Sequence, residues 1–175
     1  SKLPSIKNNF IFKMKGKFYN FFIKLLIKNN TSVIVQSSWL KKEFIKKYNV
    51  KNLIIAPLDY VESTRSKTIN KKFKKFFYPS YPYIYKNFEL LGESAKILDK
   101  NKDWNGKIVL TIDINQNNYS KSFYNNYKKC KSLKFAGYQS HKNIINLYKH
   151  SDALIFPSLA ETWGLPLSEA KRYNL

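Results

Sequence analysis

The sequence predicts an α/β protein built on a doubly wound parallel sheet. Short apolar runs rich in β-branched and aromatic residues recur along the chain. Between them lie longer segments whose apolar residues return every three or four positions, the mark of amphipathic helices. Strands separated by helix-length connections pair in parallel, because antiparallel neighbours need only short turns. No internal repeat competes with this reading.

The elements follow in order. Residues 10–28, "FIFKMKGKFYNFFIKLLIK", read as an amphipathic helix with Lys13, Lys17, Asn20, Lys24 and Lys28 on one narrow polar stripe. Such a helix either packs into its own domain or lies on an anionic membrane surface. "SVIVQ" (32–36) is a strand, and Ser37 or Ser38 caps a helix carrying Trp39, Leu40, Phe44, Ile45 and Tyr48 on one side. "NLIIAP" (52–57) is the next strand. The polar stretch from Leu58 to about Lys72 reads as a linker or domain junction.

Beyond it, "KFFYP" (75–79) is a strand and "KNFELLGESAKIL" (86–98) a helix with Phe88, Leu91, Ala95 and Leu98 inward. "GKIVLTID" (106–113) is a strand, and "NNYSKSFYNNYKKC" is helical in its second half. "SLKFAG" (132–137) is a strand, "HKNIINLYKH" (141–150) a helix, "DALIFPS" (152–158) a strand, and a last helix opens at Pro166.

Composition bounds the function. Apolar residues make up 43% of the 175 and aromatics 17%, enough to bury a core. The formal net charge is +21, yet the basic residues are nearly all lysine, with Arg65 and Arg172 as exceptions. Solvated lysines from biased codon usage account for this most simply. A basic face toward an anionic membrane or a phosphorylated substrate is the functional alternative. Readers of nucleic-acid sequence rely on the bidentate fork of arginine, so nucleic acid is not the expected partner. A lone cysteine, Cys130, permits no intrachain disulfide and suits a reducing cytoplasm. His141 and His150 have no thiolate companions, so no metal site is expected. No apolar run approaches the ~20 residues that span a bilayer. The first residues lack a signal-peptide core and an initiator Met, so the start reads as cut, as does the end.

Candidate chemistry concentrates in "FPSLAETWGLPLSEA" (156–170). Pro157 ends a strand, "SLAETWG" forms a loop, and Pro166 suits a first helical position. In open parallel sheets, ligands bind at such strand-to-helix loops. Amides around Gly164 and Leu165 make an anion site for phosphate, and glycine allows close approach. Glu169 is expected in the first helical turn, where the dipole favours its charge and its carboxylate can accept from two hydroxyls of a vicinal diol.

These residues carry a resemblance. "LYKHSDALIFPSLAETWGLPLSEA" closely resembles the donor-binding signature of GT-B glycosyltransferases of the fourth family, "ly..sda.v.PS..E.fGlp..EA". Both glutamates match at their spacing, with the Pro-Ser before them and the Gly-Leu-Pro between them. "VIVQSSWLKKEFIKKYNV" looks like the segment closing the N-terminal domain of these enzymes. "FFYPSYPYIYKNFELLGESAKIL" is similar to the start of their donor domain, and "LKFAGYQSHKNIINLY" to their "v.f.G.v....l..ly" stretch. The resemblance covers most of residues 31–175, in order.

The resemblance implies a GT-B-type Rossmann-like fold. Residues 1–57 would be the C-terminal portion of the acceptor-side domain, and 58–175 an incomplete donor domain. It implies transfer of a sugar from a nucleotide-diphosphate-sugar to a glycan or lipid-linked acceptor in bacterial surface-polysaccharide synthesis, retaining and metal-independent, with no cofactor. The chain alone would be inactive. Glu169 would hold ribose hydroxyls, and Glu161 would face the transferred sugar near its reacting centre. Thr162, Trp163, Gly164 and Leu165 would contact the sugar and distal phosphate. Lys86 would neutralise the leaving diphosphate, and Gly137 and Tyr138 would pass beside the base. The family's "GR....K" arginine is absent: Ser80 and Tyr81 stand there, leaving the second phosphate contact unassigned. The competing readings are a basic nucleic-acid-binding module and a GT-B-like domain without activity. The expected location is cytoplasmic, with peripheral contact to the inner membrane.

Overall fold

The computed structural model describes residues 10–27, 32–57 and 73–175. Lys28 and the polar stretch 58–72 lie outside the described residues. The contacts divide the chain into two compact units, with the boundary between Asp59 and Tyr60.

The first unit holds α1 (Phe10–Ile27), β1 (Val33–Val35), α2 (Ser38–Tyr48) and β2 (Leu53–Ile55). Ser37 caps α2 from an extended conformation, as its hydroxyl oxygen accepts the Leu40 amide. Asn49 closes the helix in the left-handed region, which asparagine tolerates better than most residues. β1 and β2 pair in parallel, Val33 opposite Leu53 and Val35 opposite Ile55. Val35 is buried, whereas Ile34 and Ile54 are exposed. In α1, Asn20 is drawn toward α2 and accepts a hydrogen bond from the Tyr48 hydroxyl at 2.7 Å. Phe10, Met14, Phe18, Phe21, Phe22 and Leu25 of the same helix are all exposed.

The second unit is the predicted doubly wound layer structure. Its strands are β3 (Lys75–Tyr78), β4 (Lys107–Leu110), β5 (Leu133–Phe135) and β6 (Ala153–Leu154). They are joined by α3 (Phe88–Leu98), α4 (Asn118–Tyr127) and α5 (His141–Lys149), and α6 (Leu165–Arg172) follows. The order across the sheet is β5-β4-β3-β6, with every pairing parallel. Side chains alternate across a strand, so β3 and β4 each feed two cores. Tyr78, Ile108 and Leu110 pack with Phe88, Leu91 and Ala95 of α3 and with Phe123 and Tyr127 of α4. Phe77 and Val109 point the other way, onto Tyr148 of α5 and Ala170 of α6. Burial on both faces explains why β3 and β4 read as continuous apolar runs.

Two boundaries differ from expectation. The helix expected in the second half of residues 117–130 begins near that segment's start, at Asn118. Asn117 and Ser120 form a reciprocal capping box that satisfies the first amides of α4. The last helix begins at Leu165, with Pro166 second.

Asp99, at the end of α3, ties that helix to β5. Its carboxylate accepts from the Lys131 amide (2.6 Å), the Ser132 amide (2.8 Å) and the Ser132 hydroxyl (2.5 Å). Partial burial pushes the carboxyl up, but these three donors outweigh it and hold its pKa below the ordinary value. A lowered folded pKa contributes stability above the unfolded value of about 3.9 and loses it as pH falls through the folded one. Asp99→Asn should therefore cost about 1 kcal/mol in urea unfolding at pH 7. The gap to wild type should narrow below about pH 4; a gap independent of pH would contradict the assignment.

Candidate functional site

In the second unit the chain runs from β3 to β4 and β5 in one direction, and β6 then returns to the other side of β3. The loops leaving the carboxyl ends of β3 and β6 part at this point, which is where open parallel sheets form their ligand crevice. Four hydrogen bonds join β3 and the loop after it to β6 and the loop after it. The Ile155 amide donates to the Phe77 carbonyl (2.9 Å), and the Leu159 amide to Tyr85 (2.8 Å). Asn87 Nδ2 donates to the Pro157 carbonyl at 3.1 Å. The Tyr78 hydroxyl lies 2.6 Å from Ser158 Oγ, and on its own side it donates to the Lys86 carbonyl at 3.1 Å. Tyr78 is fully buried, and desolvation raises its phenol pKa, so it stays a neutral donor.

At the mouth of this crevice Lys86 and Glu161 form an ion pair, with their side chains only 15% and 22% exposed. A short 3₁₀ turn, Ile84–Lys86, presents the lysine, and Asn87 ends that turn in the left-handed region. The Lys86 ammonium also lies 5.4 Å from the Tyr85 ring centroid. The sequence suggested separate duties for Lys86 and Glu161, and the structure brings them into direct contact. Each is the other's counter-ion, so an anion arriving at Lys86 competes with Glu161 and releases its carboxylate.

Gly164 precedes α6 with φ 81°, a left-handed conformation that starts the helix one residue earlier than Pro166. Pro166 carries no N–H and the Leu167 amide donates to the Gly164 carbonyl at 2.8 Å, so of the first three helical residues only Leu165 has an amide without a partner in the helix. Glu169 is consequently the fifth helical residue rather than a member of the first turn, which removes most of the expected dipole support. What fixes Glu169 is Tyr148 of α5, whose hydroxyl donates to Oε2 at 2.8 Å. Tyr148 is 1% exposed, and burial followed by this bond raises its pKa. Its ring is held edge-on to Phe77 and stacked on Tyr173.

The remaining candidates fall in two places. Thr162 and Leu165 are exposed beside the helix start, and Trp163 is half-buried with its indole N–H lacking a hydrogen-bond partner. Gly137 (φ 72°) and the exposed Tyr138 follow β5, two strands from β3 along the same sheet edge. At ordinary strand spacing that is about 10 Å away, so the structure does not gather them around Lys86.

Sequence reasoning passed over Tyr78, Asn87, Ser158 and Tyr148 as site-shaping residues. Ser158 lies in the Pro-Ser pair of the motif, and Asn87 sits where a helix begins, so both left a trace. Tyr78 and Tyr148 are indistinguishable in sequence from apolar core positions.

Residues 59–175 match the family model described as "Glycosyl transferases group 1". No curated protein matches the chain significantly. Among solved structures, a TarM variant from S. aureus in complex with fondaparinux, α-GlcNAc-glycerol and UDP superposes with a TM-score of 0.66 at 18% identity, over 89% of this chain. The pneumococcal O-GlcNAc transferase GtfA, in complex with UDP and GlcNAc, gives 0.61 at 14% identity over 87%. The chain spans 30% of the length of each. Both are GT-B glycosyltransferases, and the likeness establishes that fold for the part present here.

A Cβ at Gly164 would adopt a left-handed backbone and lie 3.2 Å from Leu167 Cδ1. Gly164→Ala should therefore cost about 1–2 kcal/mol, lowering Tm by about 2–8 °C. Gly164→Asn should cost less, since asparagine tolerates this region. An alanine variant as stable as wild type would contradict the backbone assignment.

Proposed function

Since the chain belongs to the glycosyl transferases group 1 family, we propose that it forms the donor side of an enzyme moving a sugar from a nucleotide-diphosphate-sugar. The acceptor in this reading is a glycan or lipid-linked saccharide in bacterial surface-polysaccharide synthesis. Residues 58–175 are part of the donor domain, and 1–57 the end of the acceptor-side domain. The observation that carries the reading is the meeting of the loops after β3 and β6. It places a cation, a carboxylate and a helix N-terminus on two mutually bonded loops.

Each group then has a task. The amides around Gly164 and Leu165 and the Lys86 ammonium receive the diphosphate and stabilise the negative charge that grows on it as the sugar departs. Displaced from Lys86, the Glu161 carboxylate faces the anomeric carbon and stabilises its developing positive charge. Glu169, oriented by Tyr148 on one oxygen, offers its other oxygen to the ribose hydroxyls. Gly137 and Tyr138 pass beside the base. Transfer proceeds with retention and without a metal.

In the full-length enzyme Glu169→Gln should chiefly weaken donor binding, by about 1.5–3 kcal/mol for a charge-assisted hydrogen bond. Glu161→Gln should lower kcat more than it raises the donor KM. Both profiles should be the same with and without EDTA. Negligible effects of both substitutions, or turnover lost in EDTA and restored by Mn²⁺, would overturn the reading.

We also infer peripheral attachment to the membrane through α1, supported by its exposed apolar residues and by its lysines. No described helix is long and apolar enough to cross a bilayer. Anionic lipid attracts nearby lysines by about 1 kcal/mol each, so a few suffice for reversible binding. Sedimentation with vesicles should require anionic lipid, weaken with salt, and drop when Lys13, Lys17, Lys24 and Lys28 become Glu. Binding indifferent to lipid charge and to those changes would show that α1 is a packed helix.

A further inference from the structure

The loop between β3 and α3 carries tyrosines at alternate positions, Tyr81, Tyr83 and Tyr85, which the donor reading leaves without a task. Tyr83 has an extended backbone (φ −114°, ψ 151°). The Tyr83 amide turns back onto the Tyr81 carbonyl across Pro82 at 2.9 Å, Tyr85 lies in the 3₁₀ turn, and the three rings form a continuous row. The Tyr81 and Tyr83 centroids are 4.7 Å apart, and Tyr83 stacks on Tyr85 at 5.4 Å with 12° between planes. The row begins at the reacting centre, since Tyr85 lies against the Lys86 ammonium that pairs with Glu161. It ends in solvent, where Tyr81 and Tyr83 are each 46% exposed.

The backbone under the row is fixed. The Ser80 amide donates to Thr111 Oγ1 at 3.0 Å. Pro82 is fully buried, and its carbonyl accepts from Asn117 Nδ2 at 2.9 Å. The Lys86 amide donates to the Tyr83 carbonyl, and the Leu159 amide to Tyr85. Packing therefore holds the loop while Tyr81 and Tyr83 stay partly in water, and contiguous exposed aromatics on a rigid support mark a binding surface.

We propose that this row is a stacking platform for a pyranose ring of the acceptor saccharide. A pyranose presents an apolar C–H face bordered by hydroxyls. The negative face of a tyrosine ring attracts such polarised C–H groups, and its hydroxyl can meet the polar rim. Tyrosine does this at small entropic cost, having few rotatable bonds. A nucleobase would also stack, but the base in the donor reading lies beside Gly137 and Tyr138, on the far side of the sheet edge. The row instead leads outward from the pair that would meet the transferred sugar, which is the direction from which an acceptor hydroxyl must approach. The proposal rests on the donor reading for its orientation, though the aromatic row itself does not.

Saturation-transfer NMR on the full chain separates the two ideas, with methyl β-D-glucopyranoside as the saccharide probe and UDP as the donor-side probe. The glucoside's equatorial hydroxyls leave both C–H faces open. Irradiating aromatic protons should pass saturation to its ring protons. Tyr83→Leu, which keeps bulk but removes the ring, should weaken glucoside binding about two- to tenfold. Tyr83→Phe should retain it, and UDP affinity should be unchanged in both variants. Glucoside binding that survives Tyr83→Leu intact, or is absent from wild type while UDP binds, would overturn the platform. Loss of UDP binding in Tyr83→Leu would overturn it in favour of a base platform. Glucoside binding by wild type without UDP binding would uphold the platform and sink the donor reading.

Discussion

The site depends on β6 pairing with β3. That pairing is anchored at the foot of the two strands by Asp152, whose carboxylate accepts from the Lys74 and Lys75 amides at 3.0 and 2.8 Å. The Asp152 amide in turn donates to the Lys75 carbonyl at 2.7 Å. These bonds hold Phe76 opposite Ala153 and Phe77 opposite Leu154, although the two strands are far apart in sequence. β6 is short, and a slip of one residue would turn Leu154 away from the face it shares with Phe77 and Tyr148. With the register set, the loops after β3 and β6 emerge side by side, and Lys86 meets Glu161.

The crevice combines a rigid support with polar groups that have alternative partners. Tyr78, Asn87 and Ser158 spend their hydrogen bonds joining loop to loop, which fixes the backbone. Lys86 and Glu161 satisfy each other in a partly dry setting. Removing either would leave a poorly hydrated charge. The pair thus keeps both charges in place at the carboxyl ends of β3 and β6. Glu169 differs, because its partner is a neutral phenol on a buried, stacked ring that orients the carboxylate without neutralising it.

Much of this was legible from the chain. Each strand of the second unit appears in sequence as an apolar run, and both glutamates stand out because acids are scarce among so many lysines. The alternation of runs with amphipathic segments was enough for the doubly wound fold. The α4 boundary was misplaced because Asn117 and Ser120 look like ordinary polar residues until their reciprocal caps are seen. Glu169 was set one turn too early because the left-handed entry at Gly164, rather than Pro166, decides where α6 begins. The contact between Lys86 and Glu161 arises from strand order across 75 positions, and periodicity carries no information at that range. Tyr148 gave no sign of its hydroxyl's role, since a tyrosine on the buried face of a helix is read first as an apolar residue.

The central claim is that the carboxyl ends of β3 and β6 hold a nucleotide diphosphate. The most direct measurement is a crystal structure of the protein with UDP bound. The account predicts the diphosphate against the amides around Gly164 and Leu165, Lys86 turned from Glu161 onto a phosphate oxygen, and ribose hydroxyls on Glu169. A nucleotide bound elsewhere, with the Lys86–Glu161 pair intact, would contradict it.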